Sequence, residues 1–307
     1  MIVPRLSRRA LIGGVPLVGL ASQVSAAEPS IAFVAVGDWG RDGAAHQRDV
    51  AAAMGAAAAA VGSAFTVSTG DNFYENGVQS ATDAQWRTSF EDVYTHPALA
   101  GPWHVVLGNH DYRGVPQAEL DYAATHPRWG LPARYYTVRP TPFVELFFID
   151  TAPLVHSYRA KVHSAIAANV ASQDVDAQLA WLDRSLAKSD AAWKIVVGHH
   201  TLRSGGSEHG DTPELVERVL PILQRRGVQV YLNGHEHDLQ HIARDGMHFV
   251  CSGAGSEVRP TGPTIGTKFA LSRSGFAVVQ LAAAALRLEF RDYTGASVYR
   301  TTIVRGA

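Results

Sequence analysis

Five short clusters carry side chains able to hold metal ions: Gly37-Asp38-Trp39-Gly40, Gly70-Asp71-Asn72-Phe73-Tyr74, Gly108-Asn109-His110-Asp111, Gly198-His199-His200 and Gly234-His235-Glu236-His237. Taken singly each has a bland explanation. Gly-Asp is a common turn, and His-x-His on a loop is often solvated. Together they place oxygen and imidazole donors after five apolar runs of one chain. Asp38, Asp71, Asn109, His199, His235 and His237 are the candidate ligands, with Tyr74 a further one. A single ion takes about four to six ligands and keeps positions open when catalytic, so the set suits two ions. A carboxylate bridges two ions about 3.5–4 Å apart, the spacing that activates a water and steadies a phosphate. Cys251 is the only cysteine, which excludes an intramolecular disulfide and cysteine-based zinc or iron–sulfur sites.

The elements that must position these groups are near-continuous runs of Val, Ile and Phe. They lie at Ile31–Val36, Phe65–Thr69, His104–Leu107, Val144–Ile149, Lys194–Val197, Val228–Leu232 and His248–Cys251. Such runs predict strands buried on both faces. Helical patterns fall at 44–61, 83–93, 117–125, 174–188 and 213–226, with Pro213 suited to a first turn and Gly227 to a helix end. Phe276–Leu281 and Leu286–Asp292 have no helix between them and predict a hairpin. The sum is a layered α/β domain with one large mixed sheet or two packed sheets. In such sheets ligands bind beyond the carboxyl ends of the strands, where the clusters fall. The opening glycine of each cluster lets the backbone turn and approach the site closely.

The 307 residues are enough for a substantial core, and 46% apolar with 18% charged is a globular composition. With 27 basic against 28 acidic residues there is no basic excess to suggest nucleic acid or an anionic membrane as partner. The N-terminus reads as an export leader. Ser7-Arg8-Arg9 precedes a short apolar run to about Leu20, and Val24-Ser25-Ala26 supplies small residues for cleavage. The paired arginines resemble a bacterial twin-arginine signal. The expected organisation is a cleavable leader over 1–26 and a single catalytic domain over 31–307. The product is expected to be periplasmic or secreted, with the export machinery as a partner and no stable membrane anchor.

From about Ala35 to its C-terminus the chain resembles the purple acid phosphatases, especially the tartrate-resistant branch of the calcineurin-like metallophosphoesterases. The resemblance rests on the first three clusters, on Phe90-Glu91-Asp92-Val93-Tyr94 and on Ser252-Gly253-Ala254-Gly255. It implies two packed mixed β-sheets flanked by helices. It also implies that Asp38, Tyr74 and His237 hold a ferric ion, that Asp71 bridges, and that Asn109, His199 and His235 hold a divalent iron, zinc or manganese. His110 corresponds to the histidine that contacts the substrate phosphate, and His209 to the one that protonates the leaving group. Tyr74 separates this branch from many relatives, because a tyrosinate is a hard anionic ligand suited to ferric iron. The implied reaction is hydrolysis of a small-molecule phosphate monoester by direct attack of a metal-bound hydroxide in acid.

The chain departs from the animal enzymes at several points. It lacks their cysteine pair. It has His200 where they have an aromatic residue and Tyr112 where they have histidine. Its segment 152–173 shows no clear match to their regulatory loop. Two other functions are consistent with the same residues: a phosphodiesterase on the same site, and a non-catalytic iron- or phosphate-binding protein. The pairing of His110 with His209 disfavours the second, since neither is needed for ligation.

Overall fold

The computed structural model describes residues 1, 29–161 and 163–305, so the expected leader lies outside the described residues. Among the described residues, fourteen strands form two sheets of seven. The first has β1 (Ser30–Val36), β2 (Phe65–Ser68), β3 (Trp103–Val105) and β4 (Trp129–Gly130) in parallel, extended antiparallel by β12 (Gly275–Ala282), β13 (Ala285–Asp292) and β14 (Ser297–Val304). In the second, β6 (Val144–Phe148), β7 (Trp193–Val197), β8 (Val230–Asn233) and β10 (Met247–Ser252) run parallel. Around them β5 (Tyr136–Thr141), β9 (Leu239–Arg244) and β11 (Thr267–Leu271) pair antiparallel.

The inner parallel strands are the apolar runs seen in the sequence, and β2, β7 and β8 are almost wholly buried. One core cluster joins both sheets through residues such as Phe33, Val67, Ile195, Val230 and Val250. At about 25 cal/mol per Å² of buried apolar surface, this shared core is the main favourable term holding the sheets together. Helix α1 (Gln47–Val61) packs on the first sheet and ends at Gly62 in the left-handed region. The other helices are α2 (Pro116–Ala123), α3 (His156–Arg159), α4 (Ala165–Ala171), α5 (Val175–Lys188), α6 (Pro213–Arg218) and α7 (Leu220–Arg225). The expected 213–226 helix is thus two helices. Pro221 lacks the amide and its ring crowds the preceding turn. The expected 83–93 helix is a single π turn at Trp86–Glu91.

Register puts the clusters side by side. Val36 pairs with Ser68, and Ser68 with Val105, so the loops carrying Asp38, Asp71 and Asn109 leave the first sheet together. Phe148 pairs with Val197, and Val197 with Leu232, so Thr151, His199 and His235 emerge together from the second.

Candidate metal centre

Each loop turns sharply as it leaves its strand. Asp38, Asp71 and His235 all sit in the left-handed region, with φ of 59°, 51° and 71°. Non-glycine residues rarely adopt it, and a cost on the order of 1–3 kcal/mol each marks backbone held for function. Two glycines show how tight the packing is. A Cβ on Gly108 would lie 2.2 Å from Asp71 Oδ1, and one on Gly234 would lie 2.4 Å from Asp38 Oδ2.

All seven candidate ligands converge. Tyr74 Oη lies 3.0 Å from Asp38 Oδ1, 3.1 Å from Asp71 Oδ2 and 3.0 Å from His237 Nε2. His199 Nε2 lies 3.3 Å from Asn109 Oδ1, 3.5 Å from Asp71 Oδ2 and 3.2 Å from His235 Nδ1. Neighbouring ligands around an ion with bonds near 2.1 Å stand about 3 Å apart, so each set has the spacing of a coordination shell. Asp71 Oδ2 belongs to both sets. His199 donates from Nδ1 to the Thr69 carbonyl at 2.9 Å, which aims its Nε2 lone pair inward.

Burial and mutual charge set the protonation states. Burial pushes the Asp38 carboxyl well above its usual range, with His199 opposing and Asp71 adding to the rise. Burial acts the same way on Asp71, but His199 and His110 overcome it and hold Asp71 well below. Burial opposes a proton on His199, yet Asp71 and Asp38 lift its pKa to about 9. Burial, then Asp38 and Asp71, drives the Tyr74 phenol upward. Burial keeps His235 neutral and pulls His237 down to about 3. A carboxyl, a carboxylate and a phenol therefore face imidazoles and backbone amides, and a cation seated there would displace the carboxyl, phenol and imidazole protons. The residues present fit a pair of metal ions.

The two non-ligand histidines are also in place. His110 donates from Nδ1 to the Glu75 carbonyl at 2.7 Å, and its Nε2 stands 3.9 Å from Asp71 Oδ2. The His209 ring stacks on His235 at 4.1 Å, and its Nε2 accepts from Arg259 Nη1 at 2.9 Å. Both histidines line a cleft of about 650 Å³ together with Asp71, Asn109 and His235.

His200 also lies within ligand distance of His199 and His235. Both of its ring nitrogens are engaged elsewhere, Nδ1 with Thr151 Oγ1 at 2.8 Å and Nε2 with Tyr158 Oη at 2.9 Å, so it supports the site without belonging to either shell.

Sequence reasoning missed the residues that hold the loops. Glu236, fully buried between two ligand histidines, accepts from the amides of His209 at 3.1 Å and Gly210 at 2.8 Å. Asp111 accepts from the amides of Gly108, Asn72 and Phe73, clamping two ligand loops. The signal was present, since each is an acid inside a cluster already singled out for its neighbours. Within 152–173, Ala152–Leu154, His156–Arg159 and Ala165–Ala171 form short helices, and His156, Ser157, Tyr158 and Lys161 form one wall of the cleft.

Comparison with known proteins agrees with this geometry. Residues 31–239 match the calcineurin-like phosphoesterase family. Purple acid phosphatase 17 of Arabidopsis thaliana is 46% identical over 236 residues, covering 74% of this chain and 69% of that protein. Tartrate-resistant acid phosphatase type 5 of Sus scrofa is 33% identical over 305 residues, covering 92% and 89%. Among solved structures, the Plasmodium inner-membrane-complex anchor GAP50 superposes with a TM-score of 0.78 at 25% identity, covering 91% and 90% of the two chains. The purple acid phosphatase of yellow lupin (Lupinus luteus) gives 0.68 at 16% identity, covering 91% of this chain and 54% of its own, a likeness of fold. With the two donor sets in place and relatives of this similarity over most of its length, the chain belongs to the purple acid phosphatases of the calcineurin-like phosphoesterase family.

Proposed function

We propose that the protein is an acid phosphatase that hydrolyses phosphate monoesters at a binuclear metal site. In this reading Asp38, Tyr74 and His237 hold a ferric ion, Asn109, His199 and His235 hold a divalent iron, zinc or manganese, and Asp71 bridges. The observation that carries it is the sharing of Asp71 Oδ2 between two donor sets with ligand-like spacing. A fold alone does not decide function, and the two donor sets carry this reading.

When bound, the ions supply positive charge for the phosphate and lower the pKa of the attacking water. The protein arranges the rest. The Glu75 carbonyl fixes the His110 ring so that Nε2 faces the cleft, where a proton taken up in acid would be donated in a hydrogen bond to a phosphate oxygen. Arg259 occupies His209 Nε2, so the His209 proton sits on Nδ1, where it can hydrogen-bond to the leaving oxygen and steady the charge that develops there. Glu236 holds the His209 loop against the ligand loop. Water attacks phosphorus directly, and no side chain is needed as a covalent carrier.

Metal analysis with a visible spectrum tests the reading. Iron-supplied protein is expected to carry two metal ions per chain and an absorption band that Tyr74→Phe abolishes. Protein without bound transition metal would overturn it. Assay of monoesters against diesters separates this reading from a phosphodiesterase on the same site. We also propose that residues 1–26 act as a cleaved twin-arginine leader ahead of one catalytic unit over 31–307. That route carries folded protein, so metal is loaded before export. Replacing Arg8 and Arg9 with lysine is expected to leave the enzyme in the cytoplasm.

A further inference from the structure

One hydrogen-bond chain beside the metal centre has a fixed direction. Thr151 follows β6, and its hydroxyl oxygen accepts two backbone amides, from His199 at 3.3 Å and His200 at 3.1 Å. A hydroxyl has two acceptor lone pairs and one hydrogen, so both lone pairs are used. Its third neighbour, His200 Nδ1 at 2.8 Å, must therefore receive the Thr151 hydrogen. A ring nitrogen that accepts carries no proton, so the proton of His200 sits on Nε2. That N–H donates to the Tyr158 oxygen at 2.9 Å. Tyr158 is thereby set as acceptor toward His200, and its own O–H hydrogen has no acceptor among the described residues.

Tyr158 lines the cleft beside Asp71, Asn109 and His110. Arg113 and Lys161 line the same cleft, and Lys161 Nζ stands 5.2 Å from the centre of the Tyr158 ring. Of the acids that also line the cleft, Glu208 pairs with Arg259 at 3.5 Å, Asp211 pairs with Arg203 at 2.9 Å and Glu214 accepts from the His156 amide at 2.8 Å, with Glu217 beyond them. An occupant that meets this free hydroxyl hydrogen beside Arg113 and Lys161 must bring acceptor oxygens, and a phosphate group does.

From this chain we infer that Tyr158 is a substrate-binding residue, donating its hydroxyl hydrogen to a non-bridging oxygen of the bound phosphate, with His200 and Thr151 as positioning residues that fix its direction. The inference rests on the phosphatase reading for the identity of the substrate. It accounts for two departures from the animal enzymes at once. The histidine at 200 and the distinct 152–173 segment form one device, in which the second presents Tyr158 and the first orients it.

Tyr158→Phe removes only the hydroxyl. In iron-loaded enzyme it is expected to raise KM for a monoester and the inhibition constant of inorganic phosphate about threefold to tenfold, the effect of losing one hydrogen bond. The kcat is expected to stay within about twofold, with metal content and the visible band unchanged. His200→Gln keeps an N–H for the Tyr158 oxygen and is expected to retain near wild-type KM. Equal KM and phosphate inhibition in wild type and Tyr158→Phe overturn the inference, as does loss of metal from Tyr158→Phe, which would make Tyr158 a scaffold residue. A His200→Gln KM raised as far as that of Tyr158→Phe overturns the positioning chain. Calorimetric binding of inorganic phosphate is read apart from turnover. A wild type that binds phosphate but leaves monoesters intact sinks the phosphatase reading, while weaker binding by Tyr158→Phe still supports the contact.

Discussion

Asp71 is the residue on which the centre depends, because it alone stands in both donor sets. Asp71→Ala is expected to lose both ions and to reduce kcat/KM well beyond the roughly 100-fold that loss of an outer hydrogen-bond partner costs. Glu236→Gln weakens such an outer partner. It leaves metal content intact and is expected to lower kcat by about 10- to 100-fold, through slackened placement of His209. Gly108→Ala tests the tightness of the loops: its methyl would collide with the Asp71 carboxylate, so the expected result is folded protein, by circular dichroism, with reduced metal content. The donors that converge were legible in the sequence because each of their clusters follows a buried strand and opens on glycine. Thr151, Tyr158 and Arg259 were not. Their roles come from contacts at long sequence separation, such as Thr151 with His200 and Arg259 with His209, and no local pattern encodes those.

Among the elements, the inner strands were readable and the edges were not. β4, β5, β11 and β14 stand at the four sheet edges. An edge strand is covered on fewer sides, so it lacks the continuous apolar run that revealed β1, β2, β7 and β8. β5 even carries Pro140, which only an edge tolerates. β9 is an inner strand and was missed for another reason: its buried Gln240 and His241 are polar side chains satisfied by hydrogen bonds, Gln240 to Asp238 and His241 to Tyr299 and His248. Helix α5 was read almost to the residue, since Asp174 caps it by accepting from the Ala177 amide at 2.9 Å. Asp174→Ala is expected to cost about 1 kcal/mol and to lower Tm by a few degrees without changing kcat.

Across the whole molecule, the two sheets contribute to the centre unequally: the first supplies Asp38, Asp71, Tyr74 and Asn109 from the loops after β1, β2 and β3, and the second supplies His199, His235 and His237 from the loops after β7 and β8. Acid tolerance is limited elsewhere. Burial depresses His104, wedged between Phe65 and Phe148, to about 4. The unfolded chain binds this proton near pH 6.5 and the native chain only near 4, so its contribution is intact above 6.5 and is lost as pH falls toward 4. His104→Phe is expected to flatten the decline of Tm over that interval. The division of ligands between sheets has a mechanical corollary. Under the proposed assignment each ion would take donors from both halves of the sandwich, so the pair would act as a rivet through one rim, while the hairpins of β12, β13 and β14 lie outside its reach. Chelation should let that rim gape before the remainder gives way. Amide exchange should quicken first in the loops around 199–211 and 234–238, and metal-free protein should melt lower with the β12–β14 amides still protected at the outset.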